Sequence, residues 1–238
     1  MELIEVRFLI VEGFPLQSFS KNITQLFNFF KDFCIIAFVE ITDNYKKHTA
    51  KNPLQRWFIQ NFEETLGREV KKLNVESILD AGAGEGFTLE YLRLKNIGRR
   101  YEGIDFLKKA VDIGNKVHPK IKLKEASIYE MPFKQNSFDL VMCTEVLEHL
   151  EEPKKALKEI FGVSRKYVLL SVPNEPIFMG SNFLRGKNWS RWGNDIEHIN
   201  HWTMFGFPGF VKKNAGTNVK IISRKYPFPW TMLVLEKI

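Results

Sequence analysis

Apolar and polar residues alternate with two different periods along the chain. From Leu54 to Leu73 apolar residues recur every three or four positions, which predicts an amphipathic helix, and Pro53 suits its first turn. Short apolar runs bounded by glycine or polar residues predict strands, with helical stretches between them: 77–81, 101–105, 121–126, 138–143 and 167–172. This order is typical of βαβ units, which build a parallel sheet with helices on both faces.

The alternation stops after residue 172. Residues 173–202 are rich in Asn, Trp and Arg and predict a substrate cap or lid. A helix over 203–214 and two strands over 219–224 and 230–236 are predicted beyond it. The short connection between these two strands favours antiparallel pairing at the end of the sheet.

The predicted cap mixes aromatic rings with cations: Phe178, Phe183, Trp189, Trp192 and Trp202 with Arg185, Lys187 and Arg191. Such a mixture can stack bases and neutralise phosphates. It also suits the headgroup zone of a membrane. The interpretation that we favour is a cap that packs its rings on the core and turns its charges to solvent.

The first forty residues differ in composition from the rest of the chain. Eight of the 21 phenylalanines lie here, and Lys31 and Asp32 split the most apolar stretch. The segment opens acidic and has no apolar run of the length that a membrane span requires, so we expect neither a secretory signal nor a span. Residues 1–40 are thus an appendage of unknown role. Three interpretations stay open: packing on the core, an interfacial helix over 22–39 that touches lipid, or an extension upstream of the natural start.

Overall composition and charge narrow the class of protein. Hydrophobic residues make up 44% and charged residues 26% of the chain, which excludes fibrous and linker-like proteins. The net charge of +7 suits an anionic partner, although we favour a basic enzyme without one. The two cysteines, Cys34 and Cys143, are far apart and outside any CxxC pair, which favours a reducing cytoplasm.

A glycine loop joins the first predicted strand to a helix that begins near Glu85. Gly82, Gly84 and Gly86 permit a tight turn and close approach of a ligand because no Cβ blocks the backbone. Asp105 ends the next predicted strand, 21 residues beyond Gly84, where a carboxylate can accept both hydroxyls of a ribose. Loop and acid together indicate a nucleoside-containing cofactor.

Three motifs in this order resemble a known family. They are Leu-Asp-Ala-Gly-Ala-Gly-Glu-Gly at 79–86, Gly-Ile-Asp at 103–105 and Phe-Asp-Leu-Val-Met-Cys-Thr-Glu-Val-Leu-Glu-His-Leu at 138–150. They resemble class I S-adenosylmethionine-dependent methyltransferases of the type 11 group, over roughly residues 45–238. The resemblance implies a Rossmann-like, doubly wound α/β fold: a seven-stranded sheet, mostly parallel with the last strand antiparallel, and helices on both faces. It makes residues 41–238 the methyltransferase domain.

The resemblance also implies roles for single residues toward S-adenosylmethionine. The residues expected around its methionine moiety and ribose are Asp80, Gly82, Gly84, Gly86 and Asp105. Ser127 and Ile128 are expected at the adenine. Cys143 and Thr144 are expected to line the wall of the site, and Tyr45 is expected near the cofactor carboxylate. Many relatives have an acid where this chain has Ser127, so the adenine contact comes from Ser127 or from the backbone.

A cluster of two glutamates and a histidine follows the fourth predicted strand. Glu145, Glu148 and His149 are spaced i, i+3 and i+4, which predicts that they share one helical face. They stand at the sheet end where open α/β folds bind ligands. Together with His198 or His201 they would make a shell for a divalent metal such as Mg²⁺ or Mn²⁺.

The cluster sharpens the resemblance. Glu-Val-Leu-Glu-His, the later Val-Pro-Asn-Glu and the His-rich Trp-Thr segment are similar to two metal-dependent groups, the small-RNA 3′-terminal 2′-O-methyltransferases and the ubiquinone-pathway O-methyltransferases. The Trp-Thr segment of the family implies His201 as the fourth ligand. The Val-Leu-Glu-His-Leu motif also occurs in relatives without a known metal. In that case His149 or His201 is the expected general base, since imidazole titrates near neutral pH.

The predicted function is O-methylation of a small or lipid-linked hydroxyl compound by S-adenosylmethionine, with or without a metal. RNA 2′-O-methylation ranks second, because the RNA enzymes usually have additional RNA-binding segments. A non-catalytic cofactor-binding adaptor is the third alternative, and the complete glycine loop, Asp105 and the Glu/His cluster argue against it. No membrane span is expected, and peripheral membrane contact stays open.

Overall fold

A computed structural model of the chain describes residues 42–49, 51–184 and 198–238. The N-terminal segment 1–40, with its proposed helix over 22–39, lies outside the described residues. So does the middle of the predicted cap, 185–197, which holds Trp189, Trp192 and the three cap cations.

Seven strands form one sheet: β1 (Ser77–Ala81), β2 (Arg100–Asp105), β3 (Lys122–Glu125), β4 (Phe138–Thr144), β5 (Ser164–Pro173), β6 (Val219–Lys225) and β7 (Trp230–Lys237). Their order is β3-β2-β1-β4-β5-β7-β6. The pairs among β1 to β5 are parallel, whereas β7 runs antiparallel to both β5 and β6. The predicted seven-stranded sheet with an antiparallel last strand is therefore confirmed.

The helices are α1 (Asp43–Thr49), α2 (Pro53–Leu73), α3 (Phe87–Leu94), α4 (Lys108–Val117), α5 (Pro153–Val163), α6 (Glu175–Leu184) and α7 (Gly206–Asn214), with one turn of 3₁₀ helix at Leu147–His149. Asn52 caps α2, because its side chain accepts from the backbone N–H groups of Leu54 and Gln55. None of the helices in the described part of the chain combines the length and apolarity needed to cross a bilayer.

Two apolar clusters cover the two faces of the sheet. Along β4 the buried side chains alternate between them, with Val141 and Cys143 in one cluster and Leu140 and Met142 in the other. The first cluster packs against α5 and α7, and the second packs against α2, α3 and α4. The central strands are consequently buried on both faces, as in other doubly wound folds.

Element boundaries follow the prediction closely and differ where local geometry intervenes. Helix α3 begins at Phe87 rather than near Glu85, because Gly86 has a φ of 80°. Helix α7 begins at Gly206 rather than at residue 203, where the Thr203 hydroxyl accepts from the Gly206 N–H at 2.9 Å. Strand β5 begins at Ser164, because its pairing with Phe138 continues across an irregularity.

The two edge strands of the sheet are β3 and β6. Strand β3 has only four residues and presents Lys122 and Lys124 to solvent. In β6 the register shifts between Ile221 and Ser223, and Arg224 is exposed near its end. Neither edge is a long flat apolar strand.

Candidate cofactor and acceptor site

The glycine loop between β1 and α3 is fastened to the neighbouring strand. The N–H groups of Gly82 and Ala83 both donate to the carbonyl of Ile104, at 2.8 and 2.9 Å. Gly82, Gly84 and Gly86 all have positive φ, at 94°, 54° and 80°. A Cβ at Gly82 would also lie 2.2 Å from the side chain of Val146, so glycine is required here by both backbone conformation and space.

Asp105 ends β2 beside this loop. Its Oδ2 accepts from the Gly84 N–H at 2.7 Å, and its Oδ1 accepts from the Leu107 N–H at 2.8 Å. A carboxylate has about four acceptor positions, so Asp105 keeps capacity for hydroxyl donors. Burial raises the pKa of Asp105, although the two N–H donors oppose the shift.

Asp80 lies one residue before the end of β1 and is buried. Its Oδ1 has no hydrogen-bond partner among the described residues. Burial raises the pKa of Asp80 to about 7, and the negative charge of Asp105 adds to the shift. A buried carboxylate oxygen in this state favours a cationic or hydrogen-bond-donating ligand.

Helix α1 contacts the glycine loop, which the sequence did not predict. The Thr42 hydroxyl and the Asn44 amide both donate to the buried carboxylate of Glu85, the latter at 2.5 Å. The ring of Phe87 meets Tyr45 at 5.7 Å between centroids and stacks on His48 at 4.5 Å. Tyr45 thus contacts the first residue of α3, and its place near the cofactor carboxylate stays a prediction. The contact between Glu85 and Asn44 was missed because no local pattern joins residues 41 positions apart.

The other residues predicted along the cofactor site occupy different environments. Ser127 is exposed, and its hydroxyl accepts from the Tyr129 N–H at 3.2 Å. Ile128 is buried in the apolar core. Cys143 is fully buried, which raises the pKa of its thiol well above the usual value, while Thr144 at the end of β4 is half-buried.

The helical face predicted for the Glu/His cluster is wrong. Glu145 directly follows β4 and has a φ of 60°, and only Leu147–His149 form a single 3₁₀ turn. A residue in the left-handed conformation cannot continue into a right-handed helix, so Glu145 and Glu148 do not follow helical spacing. The chain instead turns sharply at Glu145.

Glu145 and Glu148 are nevertheless close enough to influence each other. Burial raises the pKa of Glu145 to about 7, opposed by the Lys47 ammonium of α1 and by the Ser171 hydroxyl, which donates to Glu145 Oε1 at 3.0 Å. Burial and the charge of Glu145 raise the pKa of Glu148 well above its usual value. Within the described ranges neither carboxylate oxygen of Glu148 has a hydrogen-bond partner.

Glu148, His149 and His198 form the candidate metal-ligating set that the geometry brings together. One ligand atom from each lies within 4.8 Å of the others. The set contains His198 where the sequence prediction had His201, and Glu145 lies outside it. The physical reason is that the backbone N–H of Ile199 donates to the Glu148 carbonyl at 2.9 Å, which holds the residue before it against the cluster.

Glu175, the first residue of α6, links the two histidines and was not predicted as a site residue. Its buried Oε1 lies 2.6 Å from Nδ1 of His198 and 3.6 Å from Nδ1 of His201. A carboxylate on one imidazole nitrogen fixes the ring and leaves the other nitrogen for a ligand. The sequence signal was an acid two residues beyond the end of β5, comparable with Glu145, which directly follows β4.

Comparison with known proteins identifies the domain. A family model described as a methyltransferase domain matches residues 79–171, from β1 to β5. Residues 79–171 of this chain are thus similar to a methyltransferase domain. The matched residues include the glycine loop, Asp105 and the 3₁₀ turn, whereas α1, Glu175 and His198 lie outside the match.

Curated relatives of this methyltransferase domain match about half of the chain. A probable S-adenosylmethionine-dependent methyltransferase of Mycolicibacterium smegmatis is 27% identical over 51% of this chain and 47% of its own length. The mitochondrial ubiquinone biosynthesis O-methyltransferase of Saccharomyces cerevisiae is 28% identical over 53% of this chain and 45% of its own length. The chain thus spans about half the length of the curated relatives that it matches.

Solved structures share the fold of the methyltransferase domain. Magnesium protoporphyrin IX methyltransferase from Synechocystis, with bound SAH, has a TM-score of 0.59 and 15% identity, covering 90% of this chain and 99% of that one. The methyltransferase domain of bacterial CtHen1-C has a TM-score of 0.59 and 22% identity, covering 76% of this chain and 98% of that one. At these identities the likeness concerns the fold alone.

Proposed function

We propose that the protein is an S-adenosylmethionine-dependent methyltransferase that methylates oxygen. The observation that carries the proposal is the pair of carboxylates, the buried Asp80 and the half-buried Asp105, on either side of a loop whose three glycines have positive φ. This arrangement lies at the carboxyl ends of β1 and β2, where doubly wound folds bind nucleosides. The S-adenosylmethionine-dependent relatives support the same cofactor.

The residues present fit this cofactor. Asp80 offers the unpartnered Oδ1 to a cationic methionine group, Asp105 retains acceptor capacity for the ribose hydroxyls, and the three glycines permit the positive φ angles of the loop. Ser127 and Ile128 are assigned to the adenine, and Cys143 and Thr144 to the wall of the site. When bound, S-adenosylmethionine supplies an electrophilic methyl group, so the protein has to position the acceptor and make it nucleophilic.

The acceptor that we propose is a small or lipid-linked hydroxyl compound. Ile199, 53% exposed, follows His198 of the metal-ligating set, and Phe205, 81% exposed, lies four residues beyond His201. We infer from their exposure and their positions in the sequence that these side chains give the approach to the Glu/His cluster an apolar border. Such a border suits an apolar acceptor that carries a hydroxyl group better than a polyanion.

A divalent metal such as Mg²⁺ or Mn²⁺ would be held by Glu148, His149 and His198. The fit rests on the two unpartnered oxygens of the buried Glu148, which call for a cation or a donor. A metal bound there would lower the pKa of a coordinated hydroxyl. Glu175 would orient His198 through its Nδ1, and Glu145 would contribute negative charge nearby.

Without a metal, a histidine takes the hydroxyl proton. His149 and His201 are both exposed at the cluster, as a general base that meets a substrate must be. With or without a metal, we propose residues 173–202 as the cap over the acceptor. Glu175 and His198 belong to the two described parts of that segment.

Radiolabelled methyl transfer from S-adenosylmethionine into separated small-molecule, lipid and RNA fractions tests the proposal. We expect label in the small-molecule or lipid fraction, and loss of label with a chelator if the metal takes part. Glu148→Gln should abolish the label, whereas the exposed Glu151→Gln should not. Label in RNA would replace the proposed acceptor by a ribose 2′-hydroxyl. Label that survives chelation would overturn the proposed role of a metal. Tight cofactor binding without label in any fraction would favour a non-catalytic adaptor.

A further inference from the structure

An exposed apolar surface lies where the start of α2 meets the turn between β6 and β7. Four side chains define this aromatic face: Leu54 is 51% exposed, Trp57 55%, Tyr226 46% and Phe228 40%. Phe58 holds the two elements together, since its ring centroid lies 5.3 Å from Trp57 and 5.5 Å from Phe228. Large apolar side chains that share an exposed surface mark an interaction site more often than single ones do.

The two segments that form the aromatic face are basic, although Glu69 of α2 lies 3.8 Å from the Lys225 ammonium. Residues 51–62 contain Lys51 and Arg56 but no acid, and residues 216–235 contain Lys220, Arg224 and Lys225 but no acid. Lys51, Arg56 and Arg224 are exposed. Tryptophan and tyrosine beside lysine and arginine are the residues that proteins place at the headgroup level of anionic membranes.

We propose that the aromatic face docks the protein onto an anionic lipid bilayer. The aliphatic Leu54 beside the rings favours lipid over RNA, because bases stack on rings and gain little from an aliphatic side chain. Each exposed lysine or arginine near the bilayer adds attraction to anionic headgroups. The face is built from described residues only.

A backbone hydrogen bond joins the β6–β7 turn, which carries part of the aromatic face, to the segment that precedes Glu175 of the site. The backbone N–H of Asn174 donates to the carbonyl of Pro229 at 3.0 Å, and Asn174 directly precedes Glu175 of the site. Trp230, the next residue along β7, has the Lys47 ammonium 5.4 Å from its ring centroid. Docking by this face therefore brings the carboxyl end of the sheet, where the site lies, toward the lipid surface.

Sedimentation of the full chain with vesicles tests the docking. We expect binding to phosphatidylcholine vesicles that contain phosphatidylglycerol, and much weaker binding to phosphatidylcholine alone. The double variant Trp57→Ser with Phe228→Ser should lower the partition coefficient about tenfold or more, since each ring loses apolar burial in lipid. Leu94→Ser, at a 63% exposed apolar residue of α3, is the matched control and should leave it unchanged.

Charge and depth give independent readouts. Arg56→Gln with Arg224→Gln should weaken binding to the anionic vesicles, whereas Arg99→Gln with Lys116→Gln should have less effect. Quenching of fluorescence by brominated lipid should fall in Trp57→Phe. Equal partitioning of the Trp57/Phe228 variant and the wild type overturns the proposal. The proposal is also overturned if the protein does not bind vesicles but binds a single-stranded RNA oligonucleotide through the same residues. The assay measures binding alone, so its failure is distinguishable from failure of methyl transfer.

Discussion

The amide of Asn44 lies where a side chain on Gly84 would have to be. A Cβ at Gly84 would be 2.8 Å from Nδ2 of Asn44, and Gly84 has a φ of 54°. The glycine therefore serves both the turn of the loop and its contact with α1.

Gly84→Ala should weaken binding of S-adenosylhomocysteine about tenfold. The methyl group would strain the left-handed backbone by about 1–2 kcal/mol and push α1 away from the loop. Isothermal titration calorimetry measures the affinity. Gly162→Ala is the control, because a Cβ there meets nothing within 4 Å and should leave the affinity unchanged. Equal affinities in the two variants would mean that the loop does not contact the cofactor.

Asn44→Ala should loosen α1 without unfolding the sheet. The variant loses the hydrogen bond to Glu85, and a bond to a charged group is worth about 1.5–3 kcal/mol. Hydrogen exchange of residues 42–49 should become faster, while exchange in β4 stays slow. Gln60→Ala, which removes an exposed bond to Glu64, provides the comparison. Unchanged exchange in α1 would show that the Asn44 contact contributes nothing to its position.

Asp80→Asn should stabilise the protein at high pH and weaken cofactor binding. Because the pKa of Asp80 is about 7 in the folded protein and 3.8 ordinarily, ionising it costs stability that grows from about pH 4 to about pH 7 and is constant above. The variant lacks this cost. Its Tm should exceed that of the wild type at pH 8 and approach it at pH 4. A Tm difference that does not depend on pH would contradict the assignment.

Metal binding should depend on His198 rather than on His201. Glu148→Gln and His198→Ala should each raise the Kd for Mn²⁺ about tenfold or more, since each removes one ligand of the set. His201→Ala should change it little. Electron paramagnetic resonance of free Mn²⁺ gives the Kd directly. The reverse ranking of the two histidines would restore the ligand set predicted from the sequence.

Much of the fold was readable from the sequence because central strands such as β4 and β5 contain short apolar runs between polar or glycine-containing segments. All seven strands lie within three residues of their predicted starts, and Gly86 and Thr203 account for the two helices that begin later. The glycine loop and Asp105 were also found, because the βα unit fixes their spacing and brings them together.

The remainder of the site depends on contacts between residues far apart in the sequence, which helical or strand periodicity does not predict. Glu145 breaks the helical spacing because its backbone is left-handed. His198 lies close to Glu148 and His149 because the carbonyl of Glu148 accepts from the backbone N–H of Ile199. Glu85 and Asn44 come into contact only in the folded protein, because 41 positions separate them in the sequence. Such pairings are set by tertiary geometry and remain invisible in single-sequence patterns.

The two edges of the sheet bear on how copies of the protein behave together. Exposed backbone groups on β3 and β6 would template further strands if the edges were long, flat and apolar. Lysines on β3, and the shifted register and cations of β6, make each edge a poor partner for another copy. Strand-by-strand aggregation is thereby opposed at both ends of the sheet, and a concentrated solution should remain free of fibrils.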